Sequence, residues 1–380
     1  MLIYVCSSSH GFGHAARDAA VLQQLRRLQP DWQLVLSSQA PSWFLRLLLG
    51  SATIGVRSCR WDVGTVQADA LGVDAAGTLI ALKELQRQLP ELIEQEAAWI
   101  EAQGRPVLVL GDIPPAAADL AGRLRAPLVW MSNFGWDDIY GPYGEAFRTH
   151  AEAAHQAYRR GQLLLRCPFD LAMNWDLPEQ RLGLVCGEPR PLEPALRDRL
   201  TAAKPLVQVG FGGLGLKLNP HLFAAWPEQN FVMAPPADSS ERKALKALPN
   251  LTLLPDGVLP LDVFPFCQRH LGKPGFSTFC EAISFSVGLH VVERRDFAEA
   301  EALMRGLNRH GASRLLSRDQ LLRGDWQLDQ PLAPPHPCIC SCPWRRAGGP
   351  GSDRLCRRLT RFRWIKNIVY EGLQFVSGCL

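Results

Sequence analysis

The chain has 380 residues, of which 47% are hydrophobic and 21% charged, with a formal net charge of +4. That length allows two ordinary domains, each able to bury a core, and no apolar run approaches the roughly 18 residues of a membrane-spanning helix. The charge is uneven: residues 331–380 carry eight basic and two acidic side chains, leaving 33 and 35 in the rest, so the main body has no nucleic-acid footprint.

Short apolar runs alternate with helical patterns through the first 130 residues. Leu2–Cys6 predicts a strand, entered directly from Met1 with no basic leader, which favours a cytoplasmic protein over a secreted one. Ala15–Leu28 predicts a helix with Ala19, Leu22, Leu25 and Leu28 on one face. Trp32–Leu36 is a second strand and Ser42–Leu49 a helix; Leu79–Gln103 is a long helix interrupted or kinked at Pro90. Val107–Leu110 is a buried strand with Asp112 at its carboxyl end, followed by a helix over Ala116–Leu124 and a strand over Pro127–Met131. A further helix covers Ala146–Arg159 and a strand Gln162–Arg166, and the proline-rich stretch 187–205 reads as a linker.

The pattern then restarts. Leu206–Val209 is a strand running into Gly210-Phe211-Gly212-Gly213-Leu214-Gly215, and Phe231–Ala234, Leu251–Leu254 and His270–Gly272 are further strands. A helix is expected from about Thr278 to Val287, then a strand over Leu289–Val292 and a helix over Glu299–Arg309. Strands alternating with helices predict parallel sheets covered on both faces. The expected organisation is an N-terminal Rossmann-like α/β domain over 1–190, a second over 191–330, and an atypical tail over 331–380. Of eleven cysteines, six are scattered singly before the tail, as buried thiols of a reduced protein are.

Two glycine turns carry the candidate chemistry. His10-Gly11-Phe12-Gly13-His14 lies between a strand and a helix, the layout of an anion or nucleotide site. Gly11-x-Gly13-x-x-Ala16 fits a relaxed dinucleotide fingerprint. The acid that should close the second strand is replaced by Ser37-Ser38-Gln39, so an NAD site is disfavoured. His14 at the helix start is a candidate general base, or a loop-bonding residue; a His-x-x-x-His metal site is disfavoured because the intervening glycines are not helical. In the second half, Gly212 and Gly213 bring backbone N–H groups toward a diphosphate or simply form a tight turn. Gly275-Phe276-Ser277-Thr278-Phe279-Cys280-Glu281 places hydroxyls at a helix start with a carboxylate on the first turn, either a diphosphate and ribose cradle or a capping box.

Lys273-Pro274-Gly275-Phe276-Ser277-Thr278-Phe279-Cys280-Glu281-Ala282 resembles the donor-site signature of GT-B glycosyltransferases, among them the enzyme that adds N-acetylglucosamine to the peptidoglycan lipid precursor. His10–Arg17, Asn133–Tyr140 and Glu293–Glu299 look like the glycosyltransferase-like domain that precedes the sugar kinase in plant L-arabinokinases; the resemblance covers roughly residues 1–330 and does not extend to the kinase half. It implies a GT-B fold, two Rossmann-like domains facing across a cleft, with a nucleotide sugar as substrate and no separate cofactor. It implies Glu281 as the ribose ligand and an inverting transfer to an unidentified acceptor.

His14, Asp112 and Asp137 are the candidate bases. Asn133, Trp136 and Tyr140, with His10, Gly11 and Gly13, are candidates for the acceptor side, aromatic faces suiting sugars; core packing is the alternative for the aromatics. Asp296 and Glu299 are candidates for the donor sugar. No Asp-x-Asp pair occurs, so a metal-independent reaction is expected. A sugar-nucleotide 2-epimerase and a non-catalytic nucleotide-sugar-binding module are the rival readings. In the tail, Arg357–Lys366 and the apolar residues after it form either a basic helix for peripheral membrane contact or a divergent, frame-shifted end; Cys338-Ile339-Cys340-Ser341-Cys342 lacks a paired Cys-x-x-Cys.

Overall fold

The computed structural model of the chain describes residues 1–68, 72–201, 204–212, 217–294 and 297–335. These form two α/β units, one built on Met1–Val66 and Val73–Cys186, the other on the chain from Gly187. The division falls a few residues before the expected 190/191 boundary. The basic and cysteine-rich segments of the tail lie outside the described residues.

The first unit runs β1 (Leu2–Ser7), α1 (Gly13–Leu28), β2 (Gln33–Ser37), α2 (Ser42–Leu49), β3 (Gly55–Arg57), α3 (Ala75–Glu101), β4 (Val107–Asp112), α4 (Ala117–Leu124), β5 (Leu128–Ser132), α5 (Trp136–Tyr140), α6 (Arg148–Tyr158), β6 (Leu163–Arg166) and β7 (Glu179–Arg181). All seven strands are parallel, in the order β3-β2-β1-β4-β5-β6-β7. β1 is central and buried along its whole length, so its near-unbroken apolar run is what a strand covered on both faces requires. The sequence signal missed β3 and β7, three-residue edge strands with little apolar character.

Of the interruption or kink expected at Pro90, the interruption does not occur: α3 runs through it as one helix. Asp74 caps it, accepting from Gly77 N at 2.9 Å. Buried Leu85, Ile93, Ala97 and Ile100 hold the helix on both sides of Pro90, and that packing outweighs the single backbone bond the proline cannot make.

The second unit runs α7 (Pro194–Leu200), β8 (Leu206–Gly210), α8 (Pro220–Ala224), β9 (Asn230–Met233), α9 (Ser239–Lys246), β10 (Leu251–Leu253), α10 (Pro260–Val263), β11 (Arg269–Gly272), α11 (Phe276–Ser284), β12 (Gly288–Val292), α12 (Glu299–His310), β13 (Ser313–Leu316) and α13 (Arg318–Arg323). Its six parallel strands are ordered β10-β9-β8-β11-β12-β13. The expected linker contains α7, where Pro194 opens the helix at a position that needs no N–H. One end of the core is an edge-to-face trio of Phe223, Phe231 and Trp326.

Both sheets have a switch point, where the chain winds outward in opposite directions. It lies between β1 and β4 in the first and between β8 and β11 in the second. Such points leave a crevice at the carboxyl ends of the strands, where ligands of open α/β sheets bind. In the first sheet the end of β4 depends on Gly111. A Cβ there would overlap the Trp130 ring, which lies flat against the strand from neighbouring β5. Trp130 is fully buried and donates its Nε1–H to the Tyr158 carbonyl at 2.9 Å. Gly111→Ala is therefore expected to destabilise the fold by about 1–3 kcal/mol through overpacking, measured as a lower urea midpoint with an unchanged slope.

Candidate active site

At the first switch point Ser7 of β1 pairs in register with Asp112 of β4. The chain leaves β1 through Ser8–Phe12, with Gly11 at the turn, and enters α1 at Gly13. His14, Arg17 and Asp18 occupy positions i, i+3 and i+4 of that helix, so they share one face, and all three are buried. That face meets Asp112.

His14 Nδ1 lies 3.0 Å from Asp112 Oδ1. Arg17 grips the same carboxylate with two nitrogens: Nε donates to Oδ2 at 2.8 Å, and Nη2 donates to Oδ1. Its Nη1 donates to Asn133 Oδ1 at 2.9 Å, tying in the end of β5. Burial alone would raise the Asp112 pKa, but the Arg17 guanidinium and His14 overcome it and hold the carboxylate well below its usual range. Arg17 Nη2 also lies 3.1 Å from His14 Nδ1, but it donates to the same Asp112 oxygen; an ionised carboxylate only accepts, so the proton between it and His14 is assigned to Nδ1. Nε2 is then the basic nitrogen, and it has no hydrogen-bond partner among the described residues.

Asp112 is wholly inaccessible and spoken for by two partners, which makes it the group that orients His14 rather than a base in its own right. Asp137 is drawn elsewhere: its Oδ2 accepts from Trp175 Nε1 at 3.0 Å and contacts His155 Nδ1 at 2.9 Å.

The aromatic candidates also prove to be interior. Trp136 and Tyr140 are 0% and 3% exposed, stacked on each other at 5.5 Å between centroids, and Asn133 is 0% exposed. They offer no open face to a sugar; they hold the loop behind the site. Trp136 Nε1 donates to Asp62 Oδ2 at 2.8 Å, and the Tyr140 hydroxyl donates to the Gly64 carbonyl at 2.8 Å. His10 Nδ1 accepts from Thr65 N at 3.2 Å, and the ring meets Trp136 edge-on. The turn residues Ser9–Gly11 are thus braced by the 62–65 loop. Asp62, buried and raised by that burial although His14 lies near, was invisible in the sequence because its stretch has no periodic pattern.

In the second unit the residues around β8 and β11 converge. Gly210 pairs with Gly272, and the chain continues into Phe211-Gly212 on one side and Lys273-Pro274-Gly275 on the other. Gly275 is the N-cap of α11, so no capping side chain covers the helix start. Ser277 and Thr278 lie in the first turn, half-buried. The helix begins at Phe276, two residues earlier than expected. Glu281 therefore falls in its second turn, half-buried, and the capping-box alternative is ruled out by spacing. Glu299 opens α12 and lies close enough to Lys273 to raise its pKa. Gly213 and Asp296 lie outside the described residues. Among the described residues no three His, Cys, Asp or Glu side chains are grouped to hold a metal ion, and no helix is long and apolar enough to cross a membrane.

Comparison with known structures matches both units. Phytolacca americana UGT2 complexed with UDP-2fluoro-glucose and pterostilbene superposes with a TM-score of 0.62 at 12% identity, over 99% of each chain. A UDP-glucose: anthocyanidin 3-O-glucosyltransferase in complex with UDP gives 0.60 at 12% identity, over 97% of this chain and 94% of the other. Arabidopsis thaliana UGT89C1 gives 0.60 at 12%, over 97% and 95%. The fold is GT-B.

Identities this low speak to the GT-B architecture alone. In sequence, the chain is 28% identical to L-arabinokinase of Arabidopsis thaliana over 330 residues, 84% of this chain but only 31% of that protein's length. No family model matches the chain.

Behind the GT-B N-terminal switch point remains one unused acid. Asp18 is 0% exposed, and neither of its carboxyl oxygens has a hydrogen-bond partner among the described residues; Ser7 Oγ, also without one, lies nearby. Burial and the adjacent Asp112 push its pKa well above the usual value, so the fold favours its neutral form. The unfolded chain ionises Asp18 above about pH 4 while the fold opposes that ionisation, so this residue costs stability as pH rises. Asp18→Asn removes that cost. Urea unfolding from pH 5 to 8 should show the variant gaining on the wild type by up to about 1.4 kcal/mol per pH unit; parallel stability curves would mean that Asp18 is ionised in the fold.

Proposed function

We propose that the chain transfers a sugar from a nucleoside-diphosphate sugar, with UDP as the diphosphate, to a hydroxyl acceptor, inverting the anomeric carbon without a metal ion. The observation that carries this reading is the His14–Asp112 pair at the switch point of the first sheet. Support for the donor class comes from the structural neighbours, whose complexes hold UDP or UDP-2fluoro-glucose.

His14 Nε2 accepts the proton of the acceptor hydroxyl as its oxygen attacks the anomeric carbon. The imidazolium that forms is stabilised by Asp112, which also fixes the tautomer and the ring plane. Arg17 keeps Asp112 ionised and fixed, so the carboxylate does not compete for the proton. In the second unit, the open start of α11 with Ser277 and Thr278 receives the diphosphate, and Glu281 accepts hydrogen bonds from the ribose hydroxyls. Glu299, and Asp296 beside it in sequence, are assigned to the donor sugar. The metal-independent reading is motivated by the sequence, which has no Asp-x-Asp pair.

Thermal-shift measurements against a panel of nucleotide sugars should give stabilisation by a UDP-sugar that Glu281→Ala abolishes. With that donor, His14→Ala should lower kcat by about 10²–10⁴-fold while leaving donor affinity unchanged. Donor binding with no loss of turnover in His14→Ala would remove the base assignment, and retention of configuration in the product, read by NMR, would remove the single-displacement mechanism.

A further inference from the structure

One face of the second sheet gathers nitrogen donors without a carboxylate. In register, His290 of β12 pairs with Arg314 of β13 and with Leu271 of β11. Side chains two residues apart on a strand share a face, so Arg269 stands on the same face as His290 and Arg314. That face also carries Leu271, Val292 and Leu316, which join Trp326 and Leu328 in the apolar core. The polar residues lie toward its amino end. Arg269 opens β11, three residues or about 10 Å from Gly272, where the strand meets the switch-point crevice.

The chain after Trp326 closes over this rim. Ser313 and Ala333 exchange backbone hydrogen bonds at 3.0 and 2.9 Å, which pins the segment to β13. A Cβ on Gly288 would overlap Leu332 and stand 3.4 Å from Arg269 Cδ, so the glycine leaves Leu332 its place beside the arginine.

The segment satisfies the three residues only in part. Arg269 Nη2 donates to the Gln330 carbonyl at 3.5 Å; Arg314 Nη1 donates to Gln327 Oε1 at 2.7 Å, and its Nη2 to the Pro331 carbonyl at 2.5 Å. Arg269 Nη1, Arg314 Nε and both ring nitrogens of His290 are buried with no hydrogen-bond partner among the described residues, and His290 is 0% exposed. Buried polar groups are nearly always paired, so these nitrogens on adjacent strands point to an acceptor from outside them.

Nor is there a counter-charge. Neither arginine forms an ion pair with a described residue. The segment has two acids, both exposed: Asp325 accepts from Gln320 at 3.0 Å and Gln327 at 3.5 Å, and Asp329 accepts from Gln330 at 3.1 Å. Burial lowers the Arg269 pKa, and nearby Arg314 lowers it further. Burial, with Arg269 and Arg314 adding to it and the Trp326 backbone opposing, lowers His290 to about 4, so at pH 7 the ring is neutral and offers one N–H.

We propose that this rim binds a phosphate-class oxyanion, with the Arg269 and Arg314 guanidinium groups as its cationic ligands and the His290 ring as a neutral donor. Planar guanidinium groups match the oxygens of such an anion, and two of them offset its double charge. The bound anion ties β11 and β13 to the segment over them. This site is separate from the glycosyl-transfer reading and does not rest on it.

The test is thermal unfolding of the full chain in phosphate against chloride at one ionic strength, with ³¹P line widths reporting binding directly. Phosphate should raise the wild-type Tm progressively with concentration, and Arg269→Met should lose most of that rise. In chloride, Arg269→Met should unfold no lower than the wild type, because it removes a repelled charge and only one long hydrogen bond. A drop in chloride as large as the phosphate rise would mark Arg269 as structural and overturn the proposal. The rise should persist in the presence of UDP; a response that UDP abolishes belongs to the nucleotide crevice and overturns it too. Methyl phosphate separates the sources: an equal response assigns the site to a phosphorylated small molecule, and a response to inorganic phosphate alone assigns it to the free ion. A wild type that phosphate neither stabilises nor broadens, or a full response in Arg269→Met, rejects the site.

Discussion

The ion pair between Arg17 and Asp112 is the constraint on which the first unit's site depends. Two full charges at 2% and 0% exposure would each cost several kcal/mol to bury alone. They are tolerated because the guanidinium fork matches the carboxylate with two hydrogen bonds and spends its remaining nitrogen on Asn133. That arrangement joins α1, β4 and the exit of β5, so the three elements cannot shift independently. His14 shares one carboxylate oxygen with Arg17 and inherits its placement from a bond that is not its own. The ring is oriented before any substrate arrives, which is what a proton-accepting group needs if reorganisation is not to add to the barrier.

Much of this was legible from residue pattern. A buried apolar strand, a glycine turn and a helix placed His14 at the head of one sheet, and an acid closing another buried strand placed Asp112 beside it once parallel order was assumed. Arg17 and Asp18 were passed over for a physical reason. The helix was read by its apolar face of Ala19, Leu22 and Leu25, and charged side chains in its first turns look like the solvated side. They are buried because residues 17–22 of the helix are covered on every side and Arg17 faces Asp112, and sequence periodicity carries no information on depth. Asp62 was beyond reach because it comes from an irregular loop. Trp136 and Tyr140 were correctly placed in chain order, but aromatic identity cannot distinguish a sugar platform from a brace; the indole and phenol hydrogen bonds to Asp62 and Gly64 decide it.

Helix boundaries explain the other correction. Starting α11 at Phe276 rather than Thr278 moves Glu281 from the first turn to the second. At the first turn its carboxylate would interact with the helix's own N–H groups. One turn on, it is removed from them by about 5 Å along the axis, beyond the reach of those groups. A shift of two residues, within the ordinary uncertainty of pattern reading, therefore changes which chemical role the same side chain can fill.

The two switch points use one topological device for different electrostatic ends. In the first sheet the charges cancel inside the protein: Arg17 against Asp112, with burial pushing Asp18 toward its neutral form. A proton arriving on His14 then makes the cluster positive by one unit next to a carboxylate already fixed to receive it. In the second sheet the neighbours of Lys273 oppose one another, Arg294 repelling its ammonium and Glu299 attracting it. A balanced cluster suits a group that must change its own charge during the reaction, since any permanent surplus would bias it toward one protonation state.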